Sequence, residues 1–170
     1  MPLTHPFPPL FDGDAKILIL GSFPSVKSRE TNFFYGHPQN RFWKVMAEVL
    51  EFTDGGDGIY VPQTVEEKTR MLKAGGIALW DTIKSCDITG SSDASIMNVV
   101  PNDLSVILDN ARIEKICCNG ARSYEIFMKY TEPSVRKYGV RYIKLPSTSP
   151  ANAAWSLKRL TDEWKRLLEI

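Results

Sequence analysis

The sequence predicts an α/β protein, a three-layer α/β/α arrangement around a four-stranded parallel sheet, with residues 1–170 forming a single domain. Three observations lead there. Four short apolar runs recur along the chain, at Ile17–Leu20, Ile77–Trp80, Ile113–Cys118 and Val140–Leu145. The first has no polar alternation, which is how a strand buried on both faces reads. Segments with helical spacing separate the runs, and strands that alternate with helices make a parallel sheet covered on both sides. The chain's 170 residues, 43% hydrophobic and 24% charged, suit one domain with a sizeable core.

The N-terminal MPLTHPFPPLFDGD has four prolines and neither a basic nor an apolar leader region. It reads as an extended arm, with His5 in a flexible stretch, and not as a secretory signal. The first strand ends at Gly21, and a polar loop runs on to Asn40. Asn40 to Glu51 reads as a helix, because Phe42, Val45, Met46, Val49 and Leu50 share one face. TDGGDG breaks the chain after it. Thr64 with Glu67 three residues on has capping-box spacing, opening a helix that stops near Ala74 before Gly75-Gly76. The second strand leads into another polar loop, from Trp80 to Asn98.

Asn102-Asp103 can cap a short helix bearing Leu104, Ile107 and Leu108. The third strand ends at Asn119-Gly120, and a helix follows from Ala121 to Tyr130. After the fourth strand, Ser149 then Pro150 fits an N-cap with proline in the first turn. That last helix places Leu157, Leu160, Trp164, Leu167 and Leu168 on one face. Phe42, Trp43 and Trp164 read as core.

Loops this long in a compact domain usually do something, and ligands gather beyond the carboxyl ends of parallel strands. Gly21–Asn40, Trp80–Asn98 and Pro146–Asn152 would share that edge and form one site. Familiar catalytic constellations are missing from the sequence. There is no GxSxG elbow, neither phosphate-binding glycine pattern, and only two histidines, His5 and His37. Cys86, Cys117 and Cys118 have no metal-ligand spacing, and two of them are adjacent, so neither a metal nor a cofactor is expected. They read as buried thiols of a reducing, cytoplasmic compartment. No run is long enough to span a membrane. The net charge of +1 supplies no global field for nucleic acid, so any such contact must be local. A metal-free hydrolysis driven by orientation and electrostatics remains, which suits a largely dissociated transition state.

Three motifs narrow this further: GSFPS (Gly21–Ser25), FFYGHPQNRFWKVM (Phe33–Met46) and LPSTSPANA (Leu145–Ala153). Together they resemble the uracil-DNA glycosylase superfamily. HPQNRFWK is similar to the mismatch-specific uracil/thymine branch, and GSFPS with PSTSPANA to the hypoxanthine (deoxyinosine) branch. The resemblance implies a monofunctional DNA glycosylase of base excision repair, acting as a monomer on DNA that carries a deaminated base. Hypoxanthine is the first expectation, with uracil or mismatched thymine as others. Two departures stand out. Most members carry Asp or Asn where this chain has Phe23, and His or Asn where it has Leu145. In the hypoxanthine branch the resemblance implies that Asn40 takes over the critical role, either orienting water or hydrogen-bonding the base, since an amide cannot remove a proton at neutral pH. It also implies that Tyr35 stacks on the flipped base, and that Gly21, Ser22 and Phe23 meet its edge. The loop of Ser147, Thr148, Ser149, Pro150 and Asn152 would enter the minor groove, with the helix N-terminus behind it favouring a phosphate.

Each residue has a plainer reading. Asn40 can be a helix cap, His37 a hydrogen-bonding prop rather than an acid for the leaving base, and Tyr35 a core aromatic. Asp81, at the end of the second strand, is an alternative handler of water. Lys27, Arg29, Lys44 and Arg122 are phosphate contacts or solvated surface. Two other functions fit the residues. One is a small-substrate hydrolase using Ser22 or Ser25; the other is a lesion-binding module without catalysis, prompted by Phe23.

Overall fold

The computed structural model describes residues 2–170. Its centre is a parallel sheet of β2 (Ile17–Gly21), β3 (Ile77–Asp81), β6 (Lys115–Asn119) and β7 (Arg141–Leu145), in spatial order β3-β2-β6-β7. The remaining elements are β1 (Leu3–Thr4), β4 (Ile83–Asp87), β5 (Met97–Pro101), α1 (Val26–Thr31), α2 (Phe42–Val49), α3 (Val65–Ala74), α4 (Ser105–Leu108), α5 (Ala121–Tyr130), α6 (Glu132–Val135) and α7 (Leu157–Leu168). All five residues of β2 and of β3 are buried, as apolar runs without alternation require. The register sets Gly21 opposite Asp81 and Asn119 opposite Leu145. All four strands therefore finish at one level, and that level carries the site.

Helices α2 and α7 pack on each other, α3 lies against β3, and α5 lies against β6. Phe42, Phe127 and Trp164 are the largest fully buried side chains, and Trp43 is buried beside them. Trp164 also donates its indole N–H to Pro146 O at 2.8 Å, tying α7 to the end of β7. The capping box forms as the spacing predicts: Thr64 Oγ1 accepts from Glu67 N, and Glu67 accepts from Thr64 N. The cysteine thiols are all free and buried, and burial pushes Cys117 and Cys118 up to about 12.

Three expectations need correction. The 80–98 stretch is no loop: after Thr82 the chain continues as β4, which pairs antiparallel with β5 and with β1 to make a second, three-stranded sheet. Register shifts between Ile83 and Asp87 place the buried Ile83 and Cys86 three positions apart, so period-two alternation is lost. The first loop contains α1, capped by Ser25 and ended by Asn32 in the left-handed region. Finally, α7 is capped by Ser156 and begins at Leu157, seven residues beyond Pro150. Ser149 instead accepts from Ala151 N in a turn, so no helix N-terminus stands directly behind Ser147–Pro150.

The arm is extended, but it is anchored. Leu3 and Thr4 pair with β4, His5 N donates to Lys84 O at 2.7 Å, and Leu10 bridges Leu79. Phe7 and Leu10 are buried. His5, expected in a flexible stretch, is one of the most enclosed polar side chains here, 3% exposed.

Candidate active site

A cleft of about 380 Å³ opens at the carboxyl ends of the parallel strands. Gly21, Ser22, Phe23, Tyr35, His37, Asn40, Asp81, Ser147, Thr148, Ser149 and Pro150 all line it. Of the residues singled out in the sequence as base, water or DNA contacts, Asn152, Lys27, Arg29, Lys44 and Arg122 do not. Asn152 turns its amide onto Ser147 O, and Lys27 sits on exposed α1 beside Glu30.

Asn40 is held by its oxygen. Oδ1 accepts from Phe42 N at 3.0 Å and from Thr148 Oγ1 at 2.8 Å. A backbone N–H can only donate, so the oxygen must face α2, and the amide orientation follows. Both oxygen lone pairs are then engaged. Nδ2 makes no hydrogen bond among the described residues, which leaves Asn40 as a donor toward the cleft. Thr148 is fully buried, and its hydroxyl relays this order. It accepts from Asn119 Nδ2 at 3.0 Å, while Asn119 Oδ1 accepts from Thr148 N at 3.1 Å. The Thr148 side chain therefore cannot reach DNA, contrary to its expected contact.

Tyr35 lies flat on Phe42, with ring centroids 4.1 Å apart and planes 22° apart. Its hydroxyl accepts from Asn119 Nδ2 at 3.1 Å. Burial lifts that hydroxyl far above the ordinary phenol range, and the charge of Asp81 lifts it further, so it stays neutral. The backbone at Tyr35 has φ of 51°, a costly conformation for a non-glycine residue that is tolerated where surroundings over-determine it.

His37 stands exposed at the lip. Its Nδ1 accepts from Gln39 N at 3.1 Å, leaving Nε2 as its outward nitrogen. Phe23, where a polar residue is usual, packs into a small cluster with Ile83, Cys86, Ile96 and Ile126. Leu145 is equally buried. Neither apolar side chain can handle water or a base edge.

Sequence reading misses four residues. Asn119 ends β6 without a motif around it. Asp93 faces the cleft from the β4–β5 connection, where Ser22 Oγ donates to it at 3.0 Å; the protein crowding its carboxyl raises it above the ordinary range. Arg41 clamps the loop after β7: Nη2 donates to Ser149 O and Asn152 O at 2.9 and 3.0 Å, and Nη1 to Trp155 O. His5 reaches Asp81 from the N-terminal arm, with Nε2 2.7 Å from Asp81 Oδ2. Only Asn119, a polar residue closing an apolar run, left a signal in the sequence. Among the described residues no three His, Cys, Asp or Glu side chains converge as a metal site, and no helix is long and apolar enough to cross a membrane.

A family model described as the uracil DNA glycosylase superfamily matches residues 8–169. A Methanosarcina acetivorans protein named hypoxanthine DNA glycosylase is 34% identical over 160 residues, covering 94% of each chain. A Methanosarcina barkeri protein of the same name is 33% identical over 161 residues, covering 93% of each. A solution NMR structure of a Methanosarcina acetivorans protein, provisionally described as a uracil DNA glycosylase, superposes with a TM-score of 0.78 at 32% identity. It covers 98% of this chain and 96% of that one.

Proposed function

We propose that this chain, which belongs to the uracil DNA glycosylase superfamily, hydrolyses the N-glycosidic bond of hypoxanthine in DNA and leaves an abasic site. The superfamily and the names of the Methanosarcina relatives support the reaction and the base. The observation that carries the assignment of roles is the Asn40–Thr148–Asn119–Tyr35 network, which aims one amide donor and one aromatic face into the same cleft.

The geometry suits an extruded purine. Flipping a base out of the duplex costs a few kcal/mol, offset by stacking and edge hydrogen bonds. Tyr35, backed by Phe42, offers the stacking face. As the bond stretches, positive charge builds on the sugar and negative charge on the base. A donor held in advance is worth most when aimed at that negative charge. Asn40 is such a donor, and with its oxygen engaged it acts on the departing base instead of the attacking water. His37, at the lip, supplies a second polar group over the same opening. Water then captures a sugar that is already cationic and needs no strong base.

Among the described residues no lysine lines the cleft to form a Schiff base, so the enzyme acts without strand cleavage. Ser147, Ser149 and Pro150 at the rim face the DNA strand, and Lys27 and Asn152 act outside the cleft, on the backbone and on the loop respectively. The enzyme works as a cytoplasmic monomer.

The test is base release from oligonucleotides carrying hypoxanthine, uracil, xanthine or mismatched thymine, single- and double-stranded, beside free inosine. Release of hypoxanthine with nicking only after alkali is expected. Turnover of inosine alone would make this a nucleoside hydrolase. Tight binding of the lesion without base release would make it a recognition module.

A further inference from the structure

The charges around the cleft oppose those of its ligand. DNA is a polyanion, yet among the described residues no lysine or arginine lines this opening, whereas two carboxylates, Asp81 and Asp93, do. Acidic groups there work against binding of the resting substrate. Asp81 is answered within the fold, its Oδ2 2.7 Å from His5 Nε2. Asp93 is not. Its Oδ1 accepts from Ser22 Oγ at 3.0 Å, and Oδ2 has no hydrogen-bond partner among the described residues. Arg122 reaches only the backbone oxygen of Asp93, at 3.4 Å, and turns Nη1 to Glu125. Asp93 is exposed as a residue, but the protein crowding its carboxyl raises it above the ordinary range.

The segment that carries Asp93 is tied down on both sides. Asp93 opens a single turn, Asp93–Ser95, between β4 and β5. Just before it, Ser91 Oγ accepts from Val26 N at 2.9 Å and Gly90 O accepts from Arg29 Nη2 at 3.1 Å, which fastens the segment to α1. Just after it, Ile96 is buried in the cluster of Phe23, Ile83, Cys86 and Ile126. Phe23, the apolar departure in GSFPS, thus helps to dock the segment that brings a carboxylate to the same cleft.

Depth separates the two acids. A Cβ on Gly21 would meet both Asp81 Oδ1 and Tyr35 Oη, at 2.3 and 3.3 Å, so Asp81 sits on the floor beside the ring on which the base would stack. The sugar stays joined to the DNA strand and lies nearer the mouth, on the side where Asp93 is exposed.

We propose that Asp93 is a catalytic residue whose carboxylate faces the target sugar, stabilises the cation that forms at C1′ and holds the water that captures it. This rests on the glycosylase reading above and adds to it. The bond from C1′ to N9 of hypoxanthine breaks, and its electron pair leaves with the base. C1′ becomes positive, and Asp93 gains the partner that the resting cleft denies it. Such an interaction is stronger in the transition state than in the ground state, which is the condition for raising the rate. Water then bonds to C1′. Its surplus proton passes through the carboxylate to solvent, and the base anion takes a proton from solvent, so one water is consumed.

The test reads charge as well as rate. Binding is measured to two duplexes that differ in one nucleotide: a pyrrolidine abasic analogue with a protonated ring nitrogen in place of C1′, and its neutral tetrahydrofuran counterpart. The wild type should prefer the cation by at least about 10-fold. Asp93→Asn keeps the size of the side chain and an acceptor for Ser22 Oγ, so the fold should stand. In that variant the preference should fall below about 3-fold, and the neutral analogue should bind as tightly as before or tighter, since a negative charge has gone. Single-turnover release of hypoxanthine should slow about 10- to 100-fold. Asp81→Asn controls for the loss of any one charge from the cleft and should keep most of the preference. A wild type that releases hypoxanthine without preferring the cation overturns this inference alone. So does a preference that survives Asp93→Asn, or one that falls as far in Asp81→Asn. A wild type that releases no hypoxanthine from any context overturns the glycosylase reading and this one with it.

Discussion

Asn40 offers the sharpest test, because the two ends of its amide do different things. Asn40→Ala removes the acceptor of Phe42 N, a capping loss of about 1 kcal/mol. It also strands the buried Thr148 hydroxyl, at about 1–3 kcal/mol. Together that is roughly 2–4 kcal/mol of a total of about 5–15, so the variant folds but melts lower by roughly 5–15 °C. Asn40→Asp separates the functions. Its carboxylate keeps an oxygen for Phe42 N and Thr148 Oγ1, so the melting temperature should stay within about 3 °C of the wild type. What it loses is the donor, replaced by negative charge where the base anion forms. Single-turnover release from a hypoxanthine oligonucleotide should fall at least about 100-fold in both variants, about 2.7 kcal/mol at the transition state. Thermal unfolding and a gel assay for alkali-labile sites read the two effects separately. An aspartate variant as fast as the wild type would refute the assignment, since a carboxylate at this position can serve only the water.

The other predictions test the scaffold around that donor. Arg41→Lys replaces a planar fork that collects several carbonyls of the 148–155 loop with a single ammonium; faster proteolysis of that loop and a higher KM are expected, with kcat less affected. Gly21→Ala should displace the Asp81 carboxylate, lowering stability by about 1–3 kcal/mol in denaturant titration and activity further than that loss explains. Gln63 N and Thr64 N donate to Glu67 and hold its carboxyl below the ordinary 4.5, so its contribution to stability is present above the unfolded-chain value and lost as pH falls through the folded one. Glu67→Gln keeps the acceptor without the charge, so the difference in melting temperature between it and the wild type should close on acidification.

The sheet was legible because its strands are buried on both faces, and continuous apolar runs such as ILIL carry that burial directly. The cleft was legible in outline because long polar loops at strand ends have few other uses in a compact domain. The second sheet was not: bulges disrupt β4, and β5 is largely exposed, so neither shows a period. The start of α7 was misread because Ser149-Pro150 and Ser156 offer equally good caps. The choice falls to Arg41, whose guanidinium holds the carbonyls of Ser149, Asn152 and Trp155 in a turn that a helix there would have consumed. His5 was invisible for a similar reason. Its meaning depends on a pairing 76 residues away, and nothing local distinguishes it from any histidine in a proline-rich arm.

The same register bears on how the site works with apolar residues at two positions where the superfamily resemblance implies polar ones. Phe23 follows β2 and Leu145 ends β7, and both side chains are buried. Yet Gly21 is paired with Asp81, and Leu145 with Asn119. Beside Leu145 the neighbouring strand ends in a polar residue at the same level, and Asp81 stands level with Gly21, two residues before Phe23. Each of those is braced by a distant partner, Asp81 by His5 and Asn119 by Thr148. A polar residue restored at Leu145 would therefore enter a packed interior and not the cleft. A parallel sheet permits such a transfer because adjacent strand ends lie about 5 Å apart. Within that spacing, the strand that supplies a functional group can change while the place it serves does not.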